Sequence, residues 1–235
     1  MDAFFNLHDG LPREGPGDRE SLDWALSRAA IPRDAAILDA GCGPGADIAG
    51  LLDHAPEGRV LALDTHAPFI AAVERGFGDD PRVTARCGDM LAANGPFDLI
   101  WCAGAIYGPG VEAALSAWAP QMRAGGTIAF SQLIWRVPEP PDAVRRTFAE
   151  VPGIGELTDL VAQVERAGWR VQAERVLPDA AWETYYRPLE TRVQQKRLGA
   201  SPELRDAIAA TEAEIALWRR HRDSFGYAQI VAAAP

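Results

Sequence analysis

The chain has 235 residues, of which 33 are acidic and 23 basic, for a formal charge of −10, and 48% are hydrophobic. That length holds one large α/β domain or two small ones, and since no linker divides it, one domain with a sizeable core is expected. The acidic balance argues against a nucleic-acid partner, and the single lysine, Lys196, lies outside any glycine-rich loop, which argues against ATP-driven phosphoryl transfer.

Residues 1–18 read as a loop-rich arm carrying Phe4, Phe5, Leu7, Arg13 and the tripeptide Gly15-Pro16-Gly17. Two readings stand open for it: a disordered terminus, or a flap that closes over a ligand. Asp18 is placed to cap a helix over 19–30, where Leu22, Ala25, Leu26 and Ala29 repeat on one face; this helix is expected at the sheet edge.

From residue 35 the pattern becomes strand, turn and helix in repetition. Strands are expected at 35–40, 60–64, 83–87 and 97–102, with helices at 46–54 and 67–77 between them, an alternation that specifies a parallel sheet. A helix at 111–122 closed by Ala124-Gly125-Gly126 precedes an apolar strand at 127–135. The proline-rich segment 136–152 reads as an insertion at the ligand-facing end of that strand. A helix at 156–167, a strand at 169–177, a helical cap over 178–224 and an apolar last strand at 227–232 complete the chain.

Cys42, Cys87 and Cys102 have neither metal-site nor disulfide-framework spacing, so a reducing compartment is expected and no metal. The N-terminus carries no basic region or apolar run of signal length, and the longest uncharged apolar stretch, 99–111, is broken by Gly and Pro. The chain therefore reads as soluble and cytoplasmic, without a membrane partner.

The stretch Ile37-Leu-Asp-Ala-Gly-Cys-Gly-Pro-Gly-Ala-Asp47 carries the chemistry. Glycines 41, 43 and 45 allow a sharp turn and close approach to a ligand, at the N-terminus of the helix that follows. This spacing also satisfies the loose dinucleotide fingerprint. Asp39 separates the two readings: a carboxylate there repels a pyrophosphate and accepts a cationic ligand such as S-adenosylmethionine, with its ammonium and sulfonium. Asp64 ends the second strand where a carboxylate can accept ribose hydroxyls, and Gly88-Asp89-Met90 ends the third with an acceptor and a soft apolar group for adenine. A turn residue following Gly is the alternative reading of Asp89.

These motifs, with Phe97-Asp98-Leu99-Ile100 and Met122-Arg123-Ala124-Gly125-Gly126-Thr127, resemble those of class I S-adenosylmethionine-dependent methyltransferases over about residues 35–135. Gly15-Pro16-Gly17, Gly104-Ala105-Ile106-Tyr107, Glu165-Arg166-Ala167-Gly168-Trp169, Trp182-Glu183-x-Tyr185-Tyr186 and Gly226-Tyr227 are similar to a bacterial subgroup acting on small molecules. The resemblance implies a Rossmann-like seven-stranded sheet in the order 3-2-1-4-5-7-6, its last strand antiparallel, with helices on both faces and a helical cap. It implies S-adenosyl-L-methionine as cofactor, held by Asp39, Gly41, Cys42, Gly43, Asp64, Thr65, Asp89, Met90 and Cys102. Methyl transfer to a small organic acceptor follows. Cys102-Ala103-Gly104 replaces the signature of amino-methylating nucleic-acid and glutamine enzymes, which argues against those substrates.

Such a reaction needs alignment and water exclusion, and a base only when the acceptor loses a proton. Tyr107, Glu183 and Tyr186 are the candidate catalytic groups. Tyr107, Trp135, Trp182, Tyr185 and Tyr186 are the candidate acceptor contacts, as an aromatic wall or a cation–π site; burial against the sheet is the alternative reading of the same rings. A nicotinamide-dependent oxidoreductase and a noncatalytic binding protein for the cofactor are the rival functions. Monomer and homodimer both stand open.

Overall fold

Strand β1 (Ala36–Ala40) is buried along its whole length, as a strand covered on both faces of a parallel sheet must be. It is an interior strand of the sheet in the computed structural model, which describes residues 3–151 and 153–235. Six further strands join it: β2 (Arg59–Asp64), β3 (Val83–Cys87), β4 (Phe97–Ala103), β5 (Met122–Trp135), β6 (Arg170–Val176) and β7 (Phe225–Ala233). Their order is β3-β2-β1-β4-β5-β7-β6, with β7 antiparallel to both β5 and β6 and the other pairings parallel. This is the Rossmann-like topology expected above.

The helices in order are α1 (Ala3–His8), α2 (Arg19–Ala29), α3 (Ile48–His54), α4 (Ala67–Phe77), α5 (Val111–Trp118), α6 (Asp142–Thr147), α7 (Leu157–Arg166), α8 (Asp179–Lys196) and α9 (Pro202–His221). Asp18 caps α2 by accepting from the Ser21 N–H at 2.7 Å. Leu22, Ala25, Leu26 and Ala29 are buried as their spacing requires. They cover β5 and β7, not the sheet edge: the Gln229 amide donates to the Ser21 carbonyl at 3.0 Å. Insertion of β7 beside β5 leaves β6 as the edge on that side and turns the apolar stripe of α2 onto a sheet face.

Two other boundaries differ from expectation. The third helix begins at Ile48, two residues late, because the glycine turn extends through Asp47. Ala124-Gly125-Gly126 does not stop a helix; it lies inside β5. The ladder steps from Phe97 opposite Met122 to Leu99 opposite Thr127, so residues 123–126 form a bulge. A side chain on Gly126 would meet the carbonyls of Arg123 and Phe97, which is why glycine stands there.

The arm is tied down. Leu7 of α1 packs with Val193, Ala200 and Ile208 of the α8–α9 pair, so residues 3–18 are ordered against those helices. A second apolar cluster joins Leu11 of the arm with Leu133, Trp182, Tyr186, Trp218 and Phe225. Together these contacts hold the arm across the C-terminal ends of β1 and β4, where the parallel strands open toward solvent.

Candidate functional site

After Ala40 the backbone turns through Gly41 at φ 72°, Gly43 at φ 52° and Gly45 at φ 89°, a left-handed region that side chains avoid. Gly41 and Cys42 N–H groups donate to the Leu63 carbonyl at 2.8 and 3.0 Å, fastening the turn to the end of β2. A side chain on Gly41 would overlap Ala105, so that glycine is needed for space as well as for conformation. Around the turn lies a cleft of about 590 Å³, walled by the ends of β1 and β2, residues 88–91 after β3, residues 103–109 after β4, and the arm at 13–16.

Acidic side chains dominate its floor. Asp39 is 3% exposed and its Oδ2 atom has no hydrogen-bond partner. Burial pushes its carboxyl well above the usual range, Asp47 and Asp64 push it further, and Arg13 opposes them. Asp64 accepts the Gly43 N–H at 3.0 Å through Oδ2 and the His66 N–H at 2.8 Å through Oδ1. Asp89 accepts the Leu91 N–H at 2.9 Å, so its turn role is real, yet it also lines the cleft. Asp47 accepts from Arg13 Nη2 and from Trp101 Nε1, each at 3.0 Å.

The arm contributes the remaining wall. Arg13 is buried against Gly17, and its Nη1 has no partner. Glu14 lies over Gly43, accepting from or donating to His8 Nδ1 at 2.6 Å through Oε2, while its buried Oε1 is unpartnered. Burial raises the Glu14 carboxyl above its ordinary range, with the hydrogen bond to His8 acting against that shift. Phe5 stacks on His66 at 3.8 Å and sits edge-on to Phe69, closing the β2 side of the mouth.

Residues 37–126, which include the turn, Asp39, Asp64 and Asp89, match the methyltransferase domain family. Over that stretch the chain is similar to a methyltransferase domain. Over 116 residues it is 34% identical to malonyl-[acyl-carrier protein] O-methyltransferase of Enterobacter lignolyticus, covering 49% of this chain and 45% of that one. Over 173 residues it is 27% identical to trans-aconitate 2-methyltransferase of Azoarcus sp., covering 66% and 67%. The chain thus spans about half the length of the first curated relatives it matches. The S-adenosylmethionine-dependent methyltransferase of Geobacter sulfurreducens, solved with S-adenosyl-L-homocysteine, superposes with a TM-score of 0.86 at 19% identity, covering 100% and 98% of the two chains. Its counterpart from Thiobacillus denitrificans gives 0.86 at 18% identity, covering 100% and 99%. At those identities the likeness is one of fold.

The cleft brings together Asp39, Gly41, Cys42, Gly43, Asp64, Thr65, Asp89, Met90 and Tyr107. Tyr107 is 47% exposed at the mouth. Cys102 is not among them: it is fully buried in the core, where loss of water pushes its thiol up to about 12. The rings expected as an aromatic wall lie elsewhere. Trp182, Tyr185, Tyr186, Leu189 and Val193 form the buried face of α8, Trp182 stacks on Trp218 at 5.3 Å, and Tyr186 donates to Glu214 at 3.0 Å. Trp135 faces Phe148 at 6.3 Å. None of these rings lines the cleft. Glu183 lies outside it too, paired with Arg219 at 3.0 Å and Arg187 at 3.2 Å, and Arg219 holds its carboxyl below the ordinary range.

The signal for the packed rings was present: positions 182, 185, 186, 189 and 193 repeat as one helical face. Arg13 and Glu14 are cleft residues to which sequence reasoning gave no specific role, while His66, which its place after Asp64 suggests as a neighbour of the ribose or as a capping residue, lines the cleft beside them. The Gly15-Pro16-Gly17 motif beside the first two was the available hint. Nothing local indicates that Arg13 would bury itself against a residue 34 positions away.

Proposed function

We propose that the protein transfers the methyl group of S-adenosyl-L-methionine to a small organic acceptor. The observation that carries this reading is the buried, unpartnered Oδ2 of Asp39 beside the glycine turn. An orphaned carboxylate oxygen out of water is costly, and a cationic ligand group is what relieves it. The residues present fit the cofactor. Asp39 would take the ammonium, Arg13 Nη1 the carboxylate, Asp64 the ribose hydroxyls through lone pairs its two backbone bonds leave open, and Asp89 the adenine amino group. Gly41, Cys42, Gly43, Thr65 and Met90 would line the same ligand.

The bound cofactor supplies a methyl group already activated by sulfonium. The protein's part is then positioning and water exclusion, which can supply about 7–11 kcal/mol. The arm roofs the turn through Arg13 and Glu14, and Tyr107 stands at the mouth where an acceptor enters. Tyr107 is the catalytic candidate that remains beside the cleft, since Glu183 and Tyr186 are engaged elsewhere.

We read the chain as one domain, with residues 1–34 forming a flap and helix and the α8–α9 pair a cap. A cytoplasmic setting and a monomer or homodimer belong to the same reading. Three free cysteines support the first, and no helix among the described residues is long and apolar enough to cross a membrane.

Calorimetry with S-adenosylhomocysteine tests the reading. Wild-type protein should bind it and an Asp39→Ala/Asp64→Ala double variant should not; no binding by the wild type, or equal binding by both, overturns the proposal.

A further inference from the structure

The curated relatives named above act, by their descriptions, on carboxylic acids or their thioesters. The cleft of this chain has the opposite electrostatic character. Glu14, Asp39, Asp47, Asp64 and Asp89 line it, against Arg13 and His66 as the basic side chains among the described lining residues. Arg13 is already committed through Nη2 to Asp47, which also accepts from Trp101. An anionic acceptor would therefore enter a site whose field repels it and whose guanidinium is held through Nη2 by Asp47 and, on the reading above, through Nη1 by the cofactor's carboxylate.

Two carboxylate oxygens in the cleft are out of water and unpartnered: Asp39 Oδ2, on a side chain that is almost wholly buried, and Glu14 Oε1 on the arm. On the reading above, Asp39 faces the cofactor's ammonium. Glu14 then remains as a carboxylate with its Oε1 unsatisfied, the other oxygen being held by His8, which is 2% exposed and stacked on Phe4 at 4.0 Å. Buried carboxylates left in that condition select a cation, because opposite charge in a poorly hydrated site favours binding and like charge opposes it. The apolar rings of Phe5, Phe69 and Tyr107 around the mouth suit the hydrocarbon part of such a ligand.

We infer that the acceptor is a primary or secondary amine, bound as its ammonium against Glu14, and not a carboxylic acid. This rests on the methyltransferase reading of the same cleft. The ammonium gives one proton to Glu14, and the freed nitrogen lone pair forms the N–C bond. The C–S bond breaks with its electron pair passing to sulfur, which becomes neutral. The product leaves as an alkylammonium, and Glu14 returns its proton to solvent.

Calorimetric titration of the protein preloaded with S-adenosylhomocysteine tests this, using phenethylamine and phenylpropionate as probes of one skeleton and opposite charge. The amine should bind about tenfold or more tightly than the acid, and Glu14→Gln should remove most of that ratio. Equal affinities, tighter binding of the acid, binding of neither, or a ratio unchanged in Glu14→Gln overturns the inference. The wild-type ratio stands without any variant, so a poorly folding Glu14→Gln protein does not protect the idea. A second measurement reads the product: label from methyl-labelled S-adenosylmethionine, incubated with a metabolite extract, should sit in a base-stable, cation-exchange-retained compound. Base-labile methyl ester overturns the inference. Preloading is itself the control on the parent reading: if S-adenosylhomocysteine does not bind, both fall, whereas binding without charge preference removes only the amine.

Discussion

Arg13 Nη2 lies 3.0 Å from Asp47 Oδ1, joining the N-terminal arm to the residue that opens α3, with the two side chains 8% and 12% exposed. The pair closes the arm over the glycine turn, so folding of the arm and construction of the cleft are one event. A buried pair of this kind is costly to break from one side, because the partner is left charged and dry. Arg13→Ala should therefore destabilise the protein by about 3–5 kcal/mol and abolish S-adenosylhomocysteine binding. Urea unfolding followed by tryptophan fluorescence reads the first effect, and an unchanged midpoint would show that the arm is held by α1 alone.

Asp39 should show a trade between stability and binding. Its folded-state carboxyl is raised by burial and by Asp47 and Asp64, so the folded protein holds this proton more tightly than the unfolded chain does. The sign follows: the associated penalty is absent below about pH 4, where an unfolded aspartate is protonated, and grows as pH rises from there through the raised folded value. Asp39→Asn should then be about 1–3 kcal/mol more stable than wild type at neutral pH and equal to it in acid. Its affinity for S-adenosylhomocysteine should fall at least about tenfold. Parallel unfolding curves across pH would refute the electrostatic account.

Ligand binding should release protons. A cationic group beside Asp39 favours its ionised form and lowers its raised carboxyl, so affinity for S-adenosylhomocysteine should increase as pH rises toward neutrality. Calorimetry in two buffers of different ionisation enthalpy should give different apparent heats, and Asp39→Asn should shrink the difference. Identical heats for the wild type in both buffers would mean that no carboxyl changes state.

Gly41→Ala combines an adverse backbone conformation at φ 72° with overlap against Ala105. We expect a loss of about 1–3 kcal/mol in stability together with loss of the cofactor, since the turn must move to admit the methyl group. Calorimetric scanning with and without S-adenosylhomocysteine separates the two effects; a normal ligand-induced rise in Tm would show that the turn adapts.

The rings of α8 should behave as core. Trp182→Ala is expected to cost about 3–5 kcal/mol. Glu183→Gln, removing an exposed pairing with Arg187 and Arg219, should leave S-adenosylhomocysteine affinity within about twofold of wild type. A large loss of affinity in Glu183→Gln would return that residue to the site.

The alternation of strand and helix, the glycine turn and the acids ending β1, β2 and β3 were all legible in the amino-acid sequence. Each depends on residues within a few positions of one another: a short run of mostly apolar neighbours makes a buried strand, glycine admits positive φ, and a residue that ends a parallel strand stands at its open end. The sheet order was available only through resemblance, since no local pattern says that β7 inserts between β5 and β6.

The tertiary structure decided which polar groups find partners. Asp47 was visible as the end of a motif, but its pairing depends on an arginine arriving from 34 positions upstream. Glu14 became a cleft carboxylate because Leu7 packs among α8 and α9 and brings His8 within 2.6 Å of it. Trp182 and Tyr186 carry the same chemistry on paper as an acceptor-binding wall, and only the packing of α8 on α9 and β7 assigns them to the core. Local sequence determines backbone conformation and which end of a strand is open. Charge compensation and burial are set by what meets in space, so the glycine turn and the acids beside it could be read early while the partners of Asp47 and Glu14 waited for the fold.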